Sequence, residues 1–114
     1  MSIDFNLTSK TNGDRFTANV SKDDVAKFNI NVKAWIEDND EISNVTWTTE
    51  SGQGGISDTA IEDGVISGLV SFSQSGRTNI SILLETLAGM KKKIWLVVGV
   101  EDGQVYQDDY GMCQ

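Results

Sequence analysis

Phe28-Asn29-Ile30-Asn31-Val32-Lys33-Ala34-Trp35-Ile36 decides the fold class. Phe28, Ile30, Val32, Ala34 and Ile36 alternate with Asn29, Asn31, Lys33 and Trp35. That period of two puts one set on a buried face and the other on the opposite face of a β-strand. The same reading extends outward. Val45, Trp47 and Thr49 alternate with Asn44, Thr46 and Thr48 in a second, β-branched strand. Short runs follow over Gly55 to Thr59 and, after the Asp63-Gly64 turn signal, Val65 to Phe72. Asn79 to Thr86 places Ile80, Ile82 and Leu84 on one face. Ala88-Gly89 turns the chain, and Lys92 to Val100 places Ile94, Leu96, Val98 and Val100 in register.

Proline is absent and the 11 glycines fall largely between apolar runs, which is how strands joined by turns are punctuated. No stretch keeps a helical period; Ser21 to Lys27 offers one helical turn at most, with Ser21 as N-cap. Six or seven short, evenly spaced strands predict an all-β domain, a sandwich or barrel. Residues 1–20 form an N-terminal arm or edge strand: Ile3, Phe5 and Leu7 alternate, and a polar run from Thr8 to Arg15 follows. Residues 21–103 form the sandwich, and 104–114 a tail.

At 114 residues the chain suits one domain able to fold on its own core. A single cysteine, Cys113, leaves no internal disulfide, which fits folding in a reducing cytoplasm. Met1 to Asp4 has neither the basic start nor the apolar stretch of an export signal. The longest apolar run, Ile94 to Val100, is too short to cross a bilayer as a helix. The net charge of −8 disfavours a phosphate backbone as partner. Lys91-Lys92-Lys93 reads as a solvated turn guarding a strand edge.

Histidine is absent. That removes the commonest general base and metal ligand, and every Ser-His or Cys-His pair. Cys113 has no neighbour to lower its pKa, and the carboxylates gather in turns, so no enzyme is expected. Glu37-Asp38-Asn39-Asp40-Glu41 departs from the twelve-residue calcium loop at Ile42 and at the missing glycine. It reads as a solvated acidic turn, with Asp38 and Asp40 as a weak calcium option; no other cofactor is expected. Gly52, Gly54 and Gly55 lack the lysine and helix of a phosphate loop.

The aromatic residues say more. Trp47, on the apolar face of its strand, is the expected core tryptophan. Trp35 and Trp95 fall opposite the alternating aliphatics, either covered by the N-terminal segment or left as a patch for a partner. Val97 shares the face of Trp95. With Tyr106 and Tyr110 of the tail, these residues are the interaction candidates: Trp35, Trp95, Val97, Tyr106 and Tyr110.

Val45-Thr46-Trp47-Thr48, Asp63-Gly64-Val65-Ile66-Ser67-Gly68-Leu69 and Ser75-Gly76-Arg77-Thr78-Asn79-Ile80 carry a resemblance. From Val45 to Val100 the chain resembles bacterial immunoglobulin-like domains of the type repeated in surface and phage virion proteins. The resemblance implies an immunoglobulin-like sandwich of about seven strands with its tryptophan in the core. The whole chain also looks like small phage proteins with one such domain, fibre–tail adaptors or capsid decoration and cement proteins. That likeness implies a structural module made in the host cytoplasm, located in the virion, partnered by tail or capsid proteins, and set in a ring or lattice of its own copies. The alternative is a carbohydrate-binding module in which exposed tryptophans stack on sugar rings.

Overall fold

The computed structural model describes residues 2–7, 15–37 and 39–101. They form eight strands: β1 (Ser2–Asn6), β2 (Arg15–Ser21), β3 (Val25–Asn31), β4 (Ile42–Ser51), β5 (Gly54–Glu62), β6 (Val65–Phe72), β7 (Gly76–Thr86) and β8 (Lys91–Glu101). One four-stranded sheet has the order β1-β3-β6-β5 and the other β2-β8-β7-β4. The pair is an immunoglobulin-like β-sandwich. The arm expected over residues 1–20 contributes two edge strands, one to each sheet. β1 runs parallel to β3, and β2 runs parallel to β8.

The alternation drives this packing. Ala26, Phe28 and Ile30 of β3, Ile66, Val70 and Phe72 of β6, Ile80, Ile82 and Leu84 of β7, and Ile94, Leu96 and Val98 of β8 are buried between the sheets. Burying apolar area at roughly 25 cal/mol per Å² is the main favourable contribution to such a core. Phe5 stacks on Phe16 with ring centroids 4.9 Å apart, joining β1 to β2 across the sandwich edge. Phe5 also stacks on Phe28, which meets Phe72 edge-on. Trp47, the tryptophan expected in the core, is only half-buried and packs against the core from β4 toward Gly68 of β6, where a Cβ would lie 3.2 Å from Trp47 Cζ2; the tryptophan within the buried core is Trp35. The Nε1 atom of Trp47 is buried with no hydrogen-bond partner among the described residues.

The turns follow their residues. Asp63 and Gly64 take φ of 50° and 74°, and two positive φ values are what a type I′ hairpin turn demands. Gly89, at φ 92°, closes the β7–β8 hairpin, where the Thr86 and Met90 backbones are bonded at 2.9 Å.

Two local expectations are corrected. β3 stops at Asn31 and does not run on to Ile36. Asn31 Oδ1 accepts a hydrogen bond from the Lys33 N–H at 3.0 Å, an Asx turn that bends the chain. Trp35 N–H then donates to the Val32 carbonyl at 3.0 Å, so residues 32–36 are a turn whose alternation is coincidental. The single helical turn at Ser21 to Lys27 is instead a tight turn between strands. Asp23 adopts φ 71° there, and Asp24 Oδ2 accepts from the Ser21 N–H at 2.8 Å. β3 begins directly afterwards, at Val25.

Candidate functional site

Strand parity places Trp95 and Val97 on the outer face of the β2-β8-β7-β4 sheet, opposite the buried Ile94, Leu96 and Val98. Cross-strand register then decides their neighbours. Trp95 pairs with Arg15 on β2 and Ser81 on β7; Val97 pairs with Thr17 and Asn79; Gly99 pairs with Asn19 and Arg77. The two arginines therefore stand diagonally across β8, on either side of Val97. They are the only arginines in the sequence.

These residues enclose a shallow concavity of about 390 Å³, lined by Arg15, Glu50, Ser51, Arg77, Asn79, Trp95 and Val97. Trp95 and Val97 are half-buried, and both arginines are exposed. The floor is fixed by side-chain hydrogen bonds. Ser81 Oγ donates to Glu50 Oε2 at 2.6 Å, and Asn79 Nδ2 donates to Ser51 Oγ at 2.7 Å. Lys93 Nζ lies 5.6 Å from the centre of the Trp95 ring, within cation–π range. Arg15 and Arg77 line the concavity, with Lys93 beside it over Trp95, and Glu50 is the one carboxylate among the lining residues, in a chain whose net charge is −8.

The other sequence candidates lie elsewhere. Trp35 is 5% exposed and belongs to the core, so it is no surface anchor; the Asx turn after β3 rotates its indole inward. Tyr106 and Tyr110 lie outside the described residues, as does Asp38 of the calcium option. Asp40 serves the fold. Its Oδ1 accepts from the N–H groups of Glu41 and Ala88 at 2.9 and 3.0 Å, tying the acidic turn to the β7–β8 hairpin. The Thr86 hydroxyl beside Asp40, followed by these backbone donors, holds its carboxyl below the ordinary aspartate value. Among the described residues no group of three His, Cys, Asp or Glu side chains is placed to hold a metal. A wider depression of about 610 Å³ lies beside this turn, lined by Lys33, Ile36, Glu37, Asp40, Asp63 and others. It has no aromatic side chain, and Lys33 there is already 3.5 Å from Asp63.

Sequence parity located Trp95 and Val97 but not Arg15, Arg77, Glu50 or Asn79. Only the pairing of strands distant in sequence gathers these four, and no spacing within one strand signals it.

No family model matches the chain, and no curated protein matches it. Solved structures do. The chain is similar to PbICP-C, solved in complex with falcipain-2, with a TM-score of 0.55 at 8% identity; the match covers 88% of this chain and 98% of that one. It is similar to the cysteine protease inhibitor EhICP2 from Entamoeba histolytica, with a TM-score of 0.52 at 10% identity, covering 86% and 97% of the two chains. A 2,6-sialyltransferase from Photobacterium sp. JT-ISH-224 matches at 9% identity with a TM-score of 0.51 over 80% of this chain. The match spans 18% of that enzyme's length. At these identities the likeness is one of fold alone.

Proposed function

We propose that the chain is a non-enzymatic structural module of a bacteriophage virion, docking on a symmetric tail or capsid assembly. The resemblance over Val45 to Val100 supports the setting, and the carrying observation is the edge of β4. Four strands lie at sheet edges. β1 and β2 are five and seven residues long, and β5 is broken by a bulge between Ser57 and Ala60, with Asp58 at φ 49°. Short edges and bulges of this kind discourage pairing with another chain. β4 is ten residues long; its register against β7 shifts only near its ends, at Ile42/Asn44 and Thr49/Ser51, and the unbroken stretch from Asn44 to Thr49 between them has no charged residue, proline or glycine. Such an edge is suited to accept a partner strand by main-chain hydrogen bonding.

Thr46→Lys with Thr48→Lys tests this. Both residues are exposed, and edge lysines oppose strand addition. The double variant is expected to keep the wild-type melting temperature and to fail to incorporate into particles when complementing a deletion of the gene. Incorporation at the wild-type level contradicts docking through β4.

A second reading, a carbohydrate-binding module, is favoured by one observation: the half-exposed Trp95 beside hydrogen-bonding side chains in a concavity.

A further inference from the structure

We infer that the concavity around Trp95 binds a carboxylate-bearing saccharide, one or two pyranose rings with an acidic group. This rests on the carbohydrate reading of that face and adds the ligand class to it. Three features of the site each select one part of such a ligand.

The indole of Trp95 and the side chain of Val97 form an apolar strip among the otherwise polar residues that line the concavity. A sugar ring has an apolar C–H face of matching width, and burying it against an aromatic plane is favourable. The rim supplies what sugar hydroxyls require. Glu50 is held through Oε2 by Ser81, leaving Oε1 to accept from a hydroxyl, and Ser51 and Asn79 are mutually ordered beside it. Groups fixed before the ligand arrives lose little freedom on binding, which favours affinity.

Charge selects the acid. In a protein of net charge −8, both arginines line the concavity and Lys93 lies beside it over the indole, while Glu50 is the one carboxylate among its lining residues. Among the described residues neither arginine makes an ion pair. A guanidinium can grip a carboxylate with two parallel hydrogen bonds, and Arg15 and Arg77 present one fork from each side of Val97. Lys93, resting over the indole, is free to swing toward the same anion when a ring displaces it. At about 390 Å³ the concavity lies near the lower end of the range for small-ligand sites, ~300–1,000 Å³. That size suits a short saccharide better than an extended acidic peptide.

The test is a titration of the full chain, followed by tryptophan fluorescence and calorimetry. The probes are glucuronic acid, digalacturonic acid and N-acetylneuraminic acid, their neutral counterparts, and an aspartate-rich peptide. At least one acidic sugar is expected to bind roughly tenfold or more tightly than its neutral counterpart, with affinity falling as salt rises. Arg15→Gln with Arg77→Gln should abolish that preference, and Trp95→Ala should abolish binding, with the arginine variants melting as wild type. Equal affinity for acidic and neutral sugars overturns the acidic class while leaving the carbohydrate reading in place. Binding of the peptide alone, or of no probe, overturns both. Undiminished acidic-sugar binding by the double arginine variant overturns the site.

Discussion

Replacing Trp35 by alanine should unfold this domain far more readily than the same change at Trp95. The two side chains look alike in the sequence, each set against a run of alternating aliphatics, yet Trp35 is 5% exposed and Trp95 only half-buried. A buried tryptophan removes ~150–250 Å² from water, so at ~25 cal/mol per Å² the burial is worth about 4–6 kcal/mol as an upper figure. Truncations of large buried aromatic residues cost about 3–5 kcal/mol. A domain of this length has a total stability on the order of 6–17 kcal/mol. Trp35→Ala therefore removes a large part of it. With a urea slope of about 1.5 kcal/mol per M, a 4 kcal/mol loss lowers the midpoint by about 2–3 M. The assay is urea denaturation followed by far-UV circular dichroism, which does not depend on the deleted fluorophore. Trp35→Phe is the companion variant and should lose clearly less, because a smaller ring still fills much of the space. A midpoint change for Trp35→Ala under about 0.5 M, or no larger than that of Trp95→Ala, would refute the placement of Trp35 in the core.

Gly68→Ala should destabilise by about 1–3 kcal/mol, since its new methyl group meets Trp47 at 3.2 and 3.3 Å and Thr59 Cγ2 at 3.4 Å. Differential scanning calorimetry should show a melting temperature lower by roughly 4–12 °C. Asp40 gives a pH signature. Its folded-state pKa is lowered, first by the Thr86 hydroxyl, so its contribution is fully present above the unfolded value near 3.8 and is lost as pH falls through the lower folded value. Melting curves between pH 6 and pH 2 should therefore show wild type losing more stability on acidification than Asp40→Asn, and parallel curves would contradict this.

The fold was largely legible because in most strands parity coincides with burial. In β6, β7 and β8 every second residue is buried over most of the strand, and turn residues with positive φ sit at Gly64, between β5 and β6, and at Gly89, between β7 and β8. Parity failed at Val32 to Ile36 because a short polar side chain, Asn31, captures a nearby backbone N–H and ends the strand. Alternation alone carries no sign of that local competition. β2 is hard to read in the sequence although Phe16, Ala18 and Val20 alternate, because its seven residues follow a polar run and pair in parallel with a strand about eighty residues away. The candidate site shows the same limit. Trp95 and Val97 lie on one strand and can be placed by counting. Arg15 and Arg77 reach them only through the register of β2 with β8 and of β7 with β8.

The most direct test of the central proposal is quantitative mass spectrometry of purified phage particles, counting copies of this chain per particle. A structural module docked on a symmetric assembly should appear at a number set by that symmetry, roughly six to twelve for a tail ring or several hundred for a capsid lattice. Particles that lack the chain would contradict the account.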